Sequence, residues 1–124
     1  MSKLPLISIV MPVYNAESFL ESAIFSILNQ THSNFEFIII DDKSTDDSLM
    51  IIKKFQKKDS RIKLLNGDGK NLVKALNKGI MKSKGKYIAR MDSDDISLPK
   101  RLESQVKYIE KYNLDICGCY CVDQ

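Results

Sequence analysis

Three carboxylates stand within four consecutive residues, directly after a short apolar run that favours a β-strand. The run is 87–91, and the acids are Asp92, Asp94 and Asp95, which together form the acid triplet. Acids this close repel one another, and burying them without a partner is costly. A hard divalent cation is the natural partner for such oxygens. The sequence therefore predicts a cation site at the carboxyl end of a strand, where open α/β sheets bind ligands.

Polar residues also follow two earlier apolar runs. The first run is followed by Pro12, Val13, Tyr14 and Asn15, and the second by Asp41 and Asp42. Because the carboxyl ends of parallel strands meet at one edge of a sheet, we expect these two loops to lie beside the acid triplet. An aromatic ring can pack on a base, carboxylates can accept from base N–H groups or ribose hydroxyls, and a cation can bridge acids to a diphosphate. The three loops together predict a nucleotide site.

Strands and helices alternate in the pattern that would position these loops. Apolar runs predict strands at 7–11, 35–40, 61–65, 87–91 and 115–122, and helical spacing predicts helices at 17–28 and 71–83 and others opening at Ser44 and Ser97. Asn15 is expected to cap the first helix, and Ser44 to open a capping box. The order β-α-β-α-β-α-β-α-β predicts an α/β fold with a doubly wound, mostly parallel sheet. Since the chain stops after a strand, we expect it to be part of a longer protein.

Composition and missing motifs exclude several classes of protein. A net charge of +3, with acids and bases interspersed, gives no support for a nucleic-acid partner. No apolar run approaches the ~20 residues of a transmembrane helix, and the first residues lack the apolar segment of a signal peptide. We therefore expect a cytoplasmic protein, with peripheral contact on the inner face of the membrane as the alternative. Neither a P-loop nor a G-x-G-x-x-G fingerprint is present.

The cysteines and the single histidine have structural interpretations. Cys117, Cys119 and Cys121 alternate as residues on one face of a strand do, but they lack metal-site spacing, so we expect them to fill a buried face. Their odd number fits a reducing compartment. His32 stands in a polar connector without ligand partners nearby in sequence, and we expect it on the surface.

Lysines recur every fourth residue along the third predicted helix, at Lys70, Lys74, Lys78 and Lys82. A solvated helix face is the favoured interpretation. The functional alternatives are contact with donor phosphates, for which Lys70 and Lys74 are nearest to the binding edge, and contact with an anionic membrane surface.

Five sequence blocks resemble the signature blocks of family 2 glycosyltransferases with the Rossmann-like GT-A fold, in the order and spacing of that family. They are 7–15, 30–31, 39–46, 75–79 and 85–95. The resemblance implies a nucleotide-diphosphate sugar donor, with a UDP-sugar favoured, and a Mg²⁺ or Mn²⁺ ion. It implies an enzyme that transfers a hexosyl group to a glycan or lipid-linked acceptor, as in polysaccharide biosynthesis, with inversion.

The resemblance also assigns roles to individual residues. It implies that Pro12, Val13, Tyr14 and Asp42 hold the base and ribose. Asp92, Asp94 and Asp95 take the place of the D-x-D-like motif, with Asp94 facing the ribose or the metal and Asp95 as the best metal ligand. Asn15, Asp41 and Lys74 complete the nucleotide-binding residues that we expect.

Two features depart from the family pattern. Lys43 stands where many members have glycine after the acid pair. Family members carry the catalytic base and acceptor site after the D-x-D half, so we expect the base beyond Gln124 and interpret 1–124 as the nucleotide-sugar-binding portion, whose activity alone is open. The alternatives are a nucleotidyltransferase, which would usually carry a Gly-rich basic loop after the first strand, and a non-catalytic nucleotide-binding or regulatory module.

Overall fold

Continuous apolar runs form the strands of a parallel sheet that is covered on both faces. The computed structural model describes residues 4–69, 71–115 and 117–118. Within these residues the strands are β1 Ile7–Val13, β2 Phe35–Asp41, β3 Ile62–Asn66 and β4 Tyr87–Arg90, in the spatial order β3-β2-β1-β4. All three strand pairings are parallel. The predicted doubly wound α/β fold is confirmed.

Helices connect the strands and bury the two faces of the sheet. They are α1 Glu17–Leu28, α2 Ser48–Lys58, α3 Leu72–Lys82 and α4 Arg101–Tyr112. On one face, alternate residues of β1 and β2 pack with the inner sides of α1, α2 and α4 in the main core. On the other face, Val10, Ile38 and Ile40 pack against Ala75 of α3. None of the described helices has the length and apolar character needed to cross a membrane.

Several local predictions from the sequence are wrong. α1 begins after Ala16 rather than after an Asn15 cap, and α2 begins at Ser48 rather than after a Ser44 capping box. α4 begins at Arg101, four residues beyond Ser97. His32 is buried rather than on the surface, with Nε2 2.8 Å from the carbonyl oxygen of Pro5.

The predictions about residues 115–122 and about the lysines of the third helix concern residues that the structure describes only in part. The predicted strand 115–122 lies mostly outside the described residues, as do Cys119 and Cys121, and Cys117 is half-buried. On α3, Lys74 and Lys82 are exposed, whereas the ammonium of Lys78 donates to the carbonyl oxygen of Asn66. Lys70 lies outside the described residues.

Gly79 allows α3 to approach the sheet closely. A Cβ built at this position would contact Cγ1 of Val10 and lie 2.6 Å from Cδ1 of Ile40. We expect Gly79→Ala to destabilise the fold by about 1–3 kcal/mol, as overpacking of a core does, despite the better helix propensity of alanine. Denaturant unfolding measures this, with Asn77→Ala on the exposed side of the same helix as the control. Equal stability of the two variants would contradict the prediction.

Candidate functional site

The carboxyl ends of three strands are aligned in the sheet. Val13 is in register with Asp41, and Asp41 with Asn66, so β1, β2 and β3 end at one level. β4 ends earlier, because Arg90 is in register with Val10. Met91 follows with its N–H donating to the Val10 carbonyl oxygen at 3.0 Å. This register places the acid triplet after β4 at the same edge as the loops after β1 and β2.

Asn15 fastens the loop after β1 to the loop after β2. Its backbone is left-handed, with φ of 47°, and its N–H donates to Oγ of Ser44 at 3.0 Å. Its side-chain oxygen accepts from the N–H groups of Thr45, at 2.8 Å, and Asp46, at 3.3 Å. These hydrogen bonds hold the residues that precede α2 against the loop after β1, and α2 begins at Ser48.

The acid pair at the end of β2 is almost fully buried. Asp41 and Asp42 are each 4% exposed. Oδ1 of Asp42 accepts from the N–H of Gly69 at 2.7 Å, and Oδ2 of Asp41 accepts from the N–H of Ser44 at 3.3 Å. Oδ1 of Asp41 is buried without a hydrogen-bond partner among the described residues. An unpaired buried carboxylate oxygen is unfavourable, and a donor brought to it would stabilise it.

The acid triplet is exposed and tightly grouped. One carboxylate oxygen from each of Asp92, Asp94 and Asp95 lies within 4.8 Å of the other two. Burial, and then the charges of Asp92 and Asp94, hold the pKa of Asp95 above its ordinary value. The neighbouring cation nearest in sequence is Arg90, whose Nη2 is 3.6 Å from Oδ1 of Asp92. Three hard oxygen donors with strong mutual repulsion fit Mg²⁺ or Mn²⁺.

A cleft of about 500 Å³ joins the loop after β1 to the acid triplet. The β1 side supplies Pro12, Tyr14, Asn15 and Ala16, and the other side supplies Arg90, Asp92, Ser93 and Asp94. Tyr14 is half exposed, so its ring is available to a ligand. The lining of the cleft therefore combines an aromatic ring and apolar side chains with two carboxylates.

Apolar residues of two helices also line this cleft. They are Phe19 of α1 and Leu72 and Leu76 of α3, joined there by Val73. Phe19 is 60% exposed and Leu72 45%. Helical spacing identifies residues that share a face, but it carries no signal that distinguishes a face on the core from a face on a cleft.

The other expected site residues lie away from the cleft lining. Val13 is buried in the main core, and its carbonyl oxygen accepts from the Asp42 N–H at 2.8 Å. Asp41 and Asp42 are buried and do not line the cleft, and Lys74 is exposed in the first turn of α3. The structure therefore brings Pro12, Tyr14, Asn15, Asp92 and Asp94 together, with Asp95 beside them in the acid triplet.

The family relationship follows from comparison with known proteins. Residues 8–123 match the model of the family described as "Glycosyl transferase family 2". The chain belongs to glycosyl transferase family 2. This confirms the family that the five sequence blocks predict.

Curated relatives of this family 2 chain include proteins of two bacteria. The chain is 46% identical over 110 residues to the putative glycosyltransferase EpsE of Bacillus subtilis, covering 87% of the chain and 40% of EpsE. It is 47% identical over 107 residues to an uncharacterized glycosyltransferase of Rickettsia bellii, covering 86% of the chain and 15% of that protein. The chain thus spans less than half of the length of each.

Solved structures with the same fold include TarS and a mannosyltransferase. TarS 1–349 of S. aureus, in complex with UDP, superimposes with a TM-score of 0.76 at 25% identity, over 86% of this chain and 32% of that one. The mannosyltransferase PcManGT of Pyrobaculum calidifontis, in complex with GDP-Man and Mn²⁺, has a TM-score of 0.78 at 21% identity, over 87% of this chain and 33% of that one. The latter likeness is evidence for the fold alone. The GT-A fold expected from the sequence is confirmed.

Proposed function

We propose that residues 1–124 are the nucleotide-sugar-binding portion of a glycosyltransferase that transfers a hexosyl group, with inversion, to a glycan or lipid-linked acceptor. The observation that carries this proposal is the cleft between Tyr14 and the acid triplet, in a chain of glycosyl transferase family 2. Its aromatic ring suits the base of a nucleoside diphosphate, and its carboxylates suit a cation bound to the diphosphate. The complexes of TarS with UDP and UDP-GlcNAc support a UDP-sugar as the donor.

Each end of the donor has a counterpart in the chain. We place the base against the ring of Tyr14, beside Pro12, with Asp42 accepting from the base or ribose and Val13 supporting it from the core. Asn15 holds the loops in place through Ser44, Thr45 and Asp46. Asp41, whose Oδ1 has no donor in the described part of the chain, and Lys74, which is exposed near the start of α3, are the outlying candidates for ribose and phosphate.

Asp94 and Asp95 are the proposed ligands of Mg²⁺ or Mn²⁺, with Asp92 alongside. Displacement at the anomeric carbon passes through an oxocarbenium-like transition state while negative charge grows on the leaving diphosphate. A cation bound by these carboxylates would stabilise that charge. The acid triplet itself orients the donor by fixing where the diphosphate can lie. The acceptor hydroxyl needs a general base, and we assign that role to no residue of this chain.

Calorimetric titration of UDP into the chain, with Mn²⁺ and then with EDTA, tests the proposal. We expect binding that requires the cation, because the diphosphate would otherwise meet three carboxylates without a bridging charge. Titration of GDP and dTDP under the same conditions compares their affinities with that of UDP. Similar affinities would indicate recognition of the diphosphate, and different affinities would indicate selection of the nucleoside. A folded chain that binds none of the three nucleotides with Mn²⁺ present would contradict the donor-site proposal.

A further inference from the structure

The acid triplet is carried by a short exposed loop whose two ends are buried. The acid loop comprises residues 92–96, and it runs between Met91, which is 2% exposed, and Ser97, which is 7% exposed. Met91 packs in the main core, and the N–H of Ser97 donates to Oγ of Ser26 on α1 at 3.0 Å. The position of the three carboxylates therefore depends on how these two ends are held together.

Arg101 joins the two ends of the acid loop. Its Nη2 donates to the carbonyl oxygen of Arg90 at 2.8 Å, just before the loop, and its Nη1 donates to Oγ of Ser97 at 3.0 Å, just after it. Oγ of Ser97 in turn donates to Sδ of Met91 at 3.3 Å. A guanidinium presents its donors in a rigid plane, so one side chain fixes the spacing of both ends.

Gln30 fixes the part of the chain from which Arg101 extends. Its side chain is buried, and Nε2 donates to the carbonyl oxygens of Leu98, at 2.7 Å, and Ser26, at 3.1 Å. Its Oε1 accepts from the N–H of Leu102 at 3.0 Å. One amide thus bonds to the chain on both sides of Arg101 and ties the start of α4 to the end of α1.

We propose that Arg101 and Gln30 are positioning residues that hold the acid loop in the geometry that binds the divalent cation. The inference rests on the proposed function, because it assigns the cation to the acid triplet. Neither residue contacts the cation in this proposal. Arg101 closes the acid loop at its ends, and Gln30 keeps Arg101 in place, so the carboxylates are arranged before any ligand arrives.

The charge of Arg101 has the opposite effect from its hydrogen bonds. The positive charge of Arg101 acts on the carboxylate of Asp95. The same charge would repel a divalent cation bound there, so removing the charge alone would strengthen cation binding. Loss of the two hydrogen bonds loosens the acid loop and weakens cation binding. Outer-shell groups that orient metal ligands typically change metal affinity by about 10–100-fold. In Arg101→Met, which is neutral and of similar length, loss of the charge would strengthen cation binding and loss of the hydrogen bonds would weaken it. Arg101→Lys keeps the charge, so it isolates the effect of the hydrogen bonds.

The test measures Mn²⁺ binding to the 124-residue chain by electron paramagnetic resonance, with Arg101→Met and Arg101→Lys as the main variants. We expect both to bind Mn²⁺ about tenfold more weakly than the unmodified chain. Gln30→Met, which removes all three side-chain hydrogen bonds, should act in the same direction. Hydrogen exchange of 92–97 without metal is expected to accelerate in each variant, because the loop ends are no longer joined.

Arg61→Lys is the matched control. Like Arg101, Arg61 donates to a main-chain carbonyl oxygen, that of Ser33, and it donates in addition to the carboxylate of Asp59. It lies at the opposite, amino-terminal edge of the sheet. This variant loses a comparable set of hydrogen bonds, so its thermal unfolding shows the effect of a structural arginine, and its Mn²⁺ affinity should stay unchanged.

The outcomes separate the positioning role from the proposed function. Stronger binding by Arg101→Met together with unchanged binding by Arg101→Lys would show that only the charge matters and would overturn the proposal. Unchanged Mn²⁺ binding in all three variants, beside a normal titration of the unmodified chain, would overturn it as well. An unmodified chain that binds no Mn²⁺ would instead contradict the cation site itself.

Discussion

Replacing Asp95 by asparagine is expected to abolish most of the Mn²⁺ affinity and, at the same time, to stabilise the metal-free fold. The Mn²⁺ affinity should fall on the order of 100-fold. Loss of a residue that only orients a metal ligand lowers metal affinity by about 10–100-fold, and here a charged ligand itself is removed. Stability should rise because burial and the charges of Asp92 and Asp94 disfavour the ionised form of Asp95 and raise its pKa. An amide that carries no charge removes this repulsion.

The two effects are measured separately. Electron paramagnetic resonance of Mn²⁺ gives the affinity, and thermal unfolding in EDTA at neutral pH gives the stability of the metal-free chain. The sign of the stability change follows from linkage. A carboxyl whose folded pKa is raised makes the folded state less stable above that pKa than below it. The advantage of Asp95→Asn should therefore be present at neutral pH and shrink as the pH falls through the pKa of Asp95.

Glu21→Gln is the control for a simple change of charge. Glu21 is exposed on α1, outside the acid triplet, and the substitution removes the same carboxylate charge. We expect it to leave Mn²⁺ binding and metal-free stability nearly unchanged. If Asp95→Asn bound Mn²⁺ as this control does, the cation would not depend on the acid triplet.

The order of the elements could be predicted because burial on both faces of a parallel sheet leaves continuous apolar runs in the sequence. β2 contains such a run at 37–40, and its two faces meet different helices. Boundaries were harder to predict. β1 continues through Pro12 to Val13, because pairing with β2 extends past the residue at which the apolar run is broken.

The start of a helix could not be predicted where the expected capping side chain is hydrogen-bonded to a residue far away in sequence. The sequence around Ser44 has the spacing of a capping box, but Oγ of Ser44 accepts from the N–H of Asn15, twenty-nine residues earlier. The burial of His32 depends in the same way on Pro5, since its ring lies against a carbonyl oxygen that no local pattern reveals. Short-range signals therefore fail where a loop is held by another loop.

The site itself was predictable to the extent that its chemistry is local. The acid triplet stands out because three acids in four residues have a physical consequence that any fold must resolve. The apolar wall of the cleft, with Phe19 and Leu72, has no such signature, because the same side chains would serve equally well in a core. The contacts of Gln30 and Arg101 join residues far apart in sequence and appear only once the fold is known.

Gly67→Ala is expected to weaken UDP binding about tenfold without altering any group that would touch the nucleotide. A Cβ at this position would contact Oδ1 of Asp42 and lie 3.0 Å from its Cα, so the carboxylate or the loop must move. That carboxylate also accepts from the N–H of Gly69 at 2.7 Å. A hydrogen bond to a charged group contributes about 1.5–3 kcal/mol, and about 1.4 kcal/mol corresponds to a tenfold change in affinity.

Calorimetry with UDP and Mn²⁺ measures the loss, and Mn²⁺ binding without nucleotide should stay unchanged because the acid triplet is on another loop. Asp68→Ala is the matched control, since Asp68 is the exposed residue next to Gly67 in the same turn. Asp42→Asn provides a second comparison, because an amide oxygen can still accept from Gly69 while the charge is lost. If Gly67→Ala and Asp42→Asn both bound UDP as tightly as Asp68→Ala, Asp42 would have no part in holding the base or ribose, and its burial would serve only to anchor 67–69.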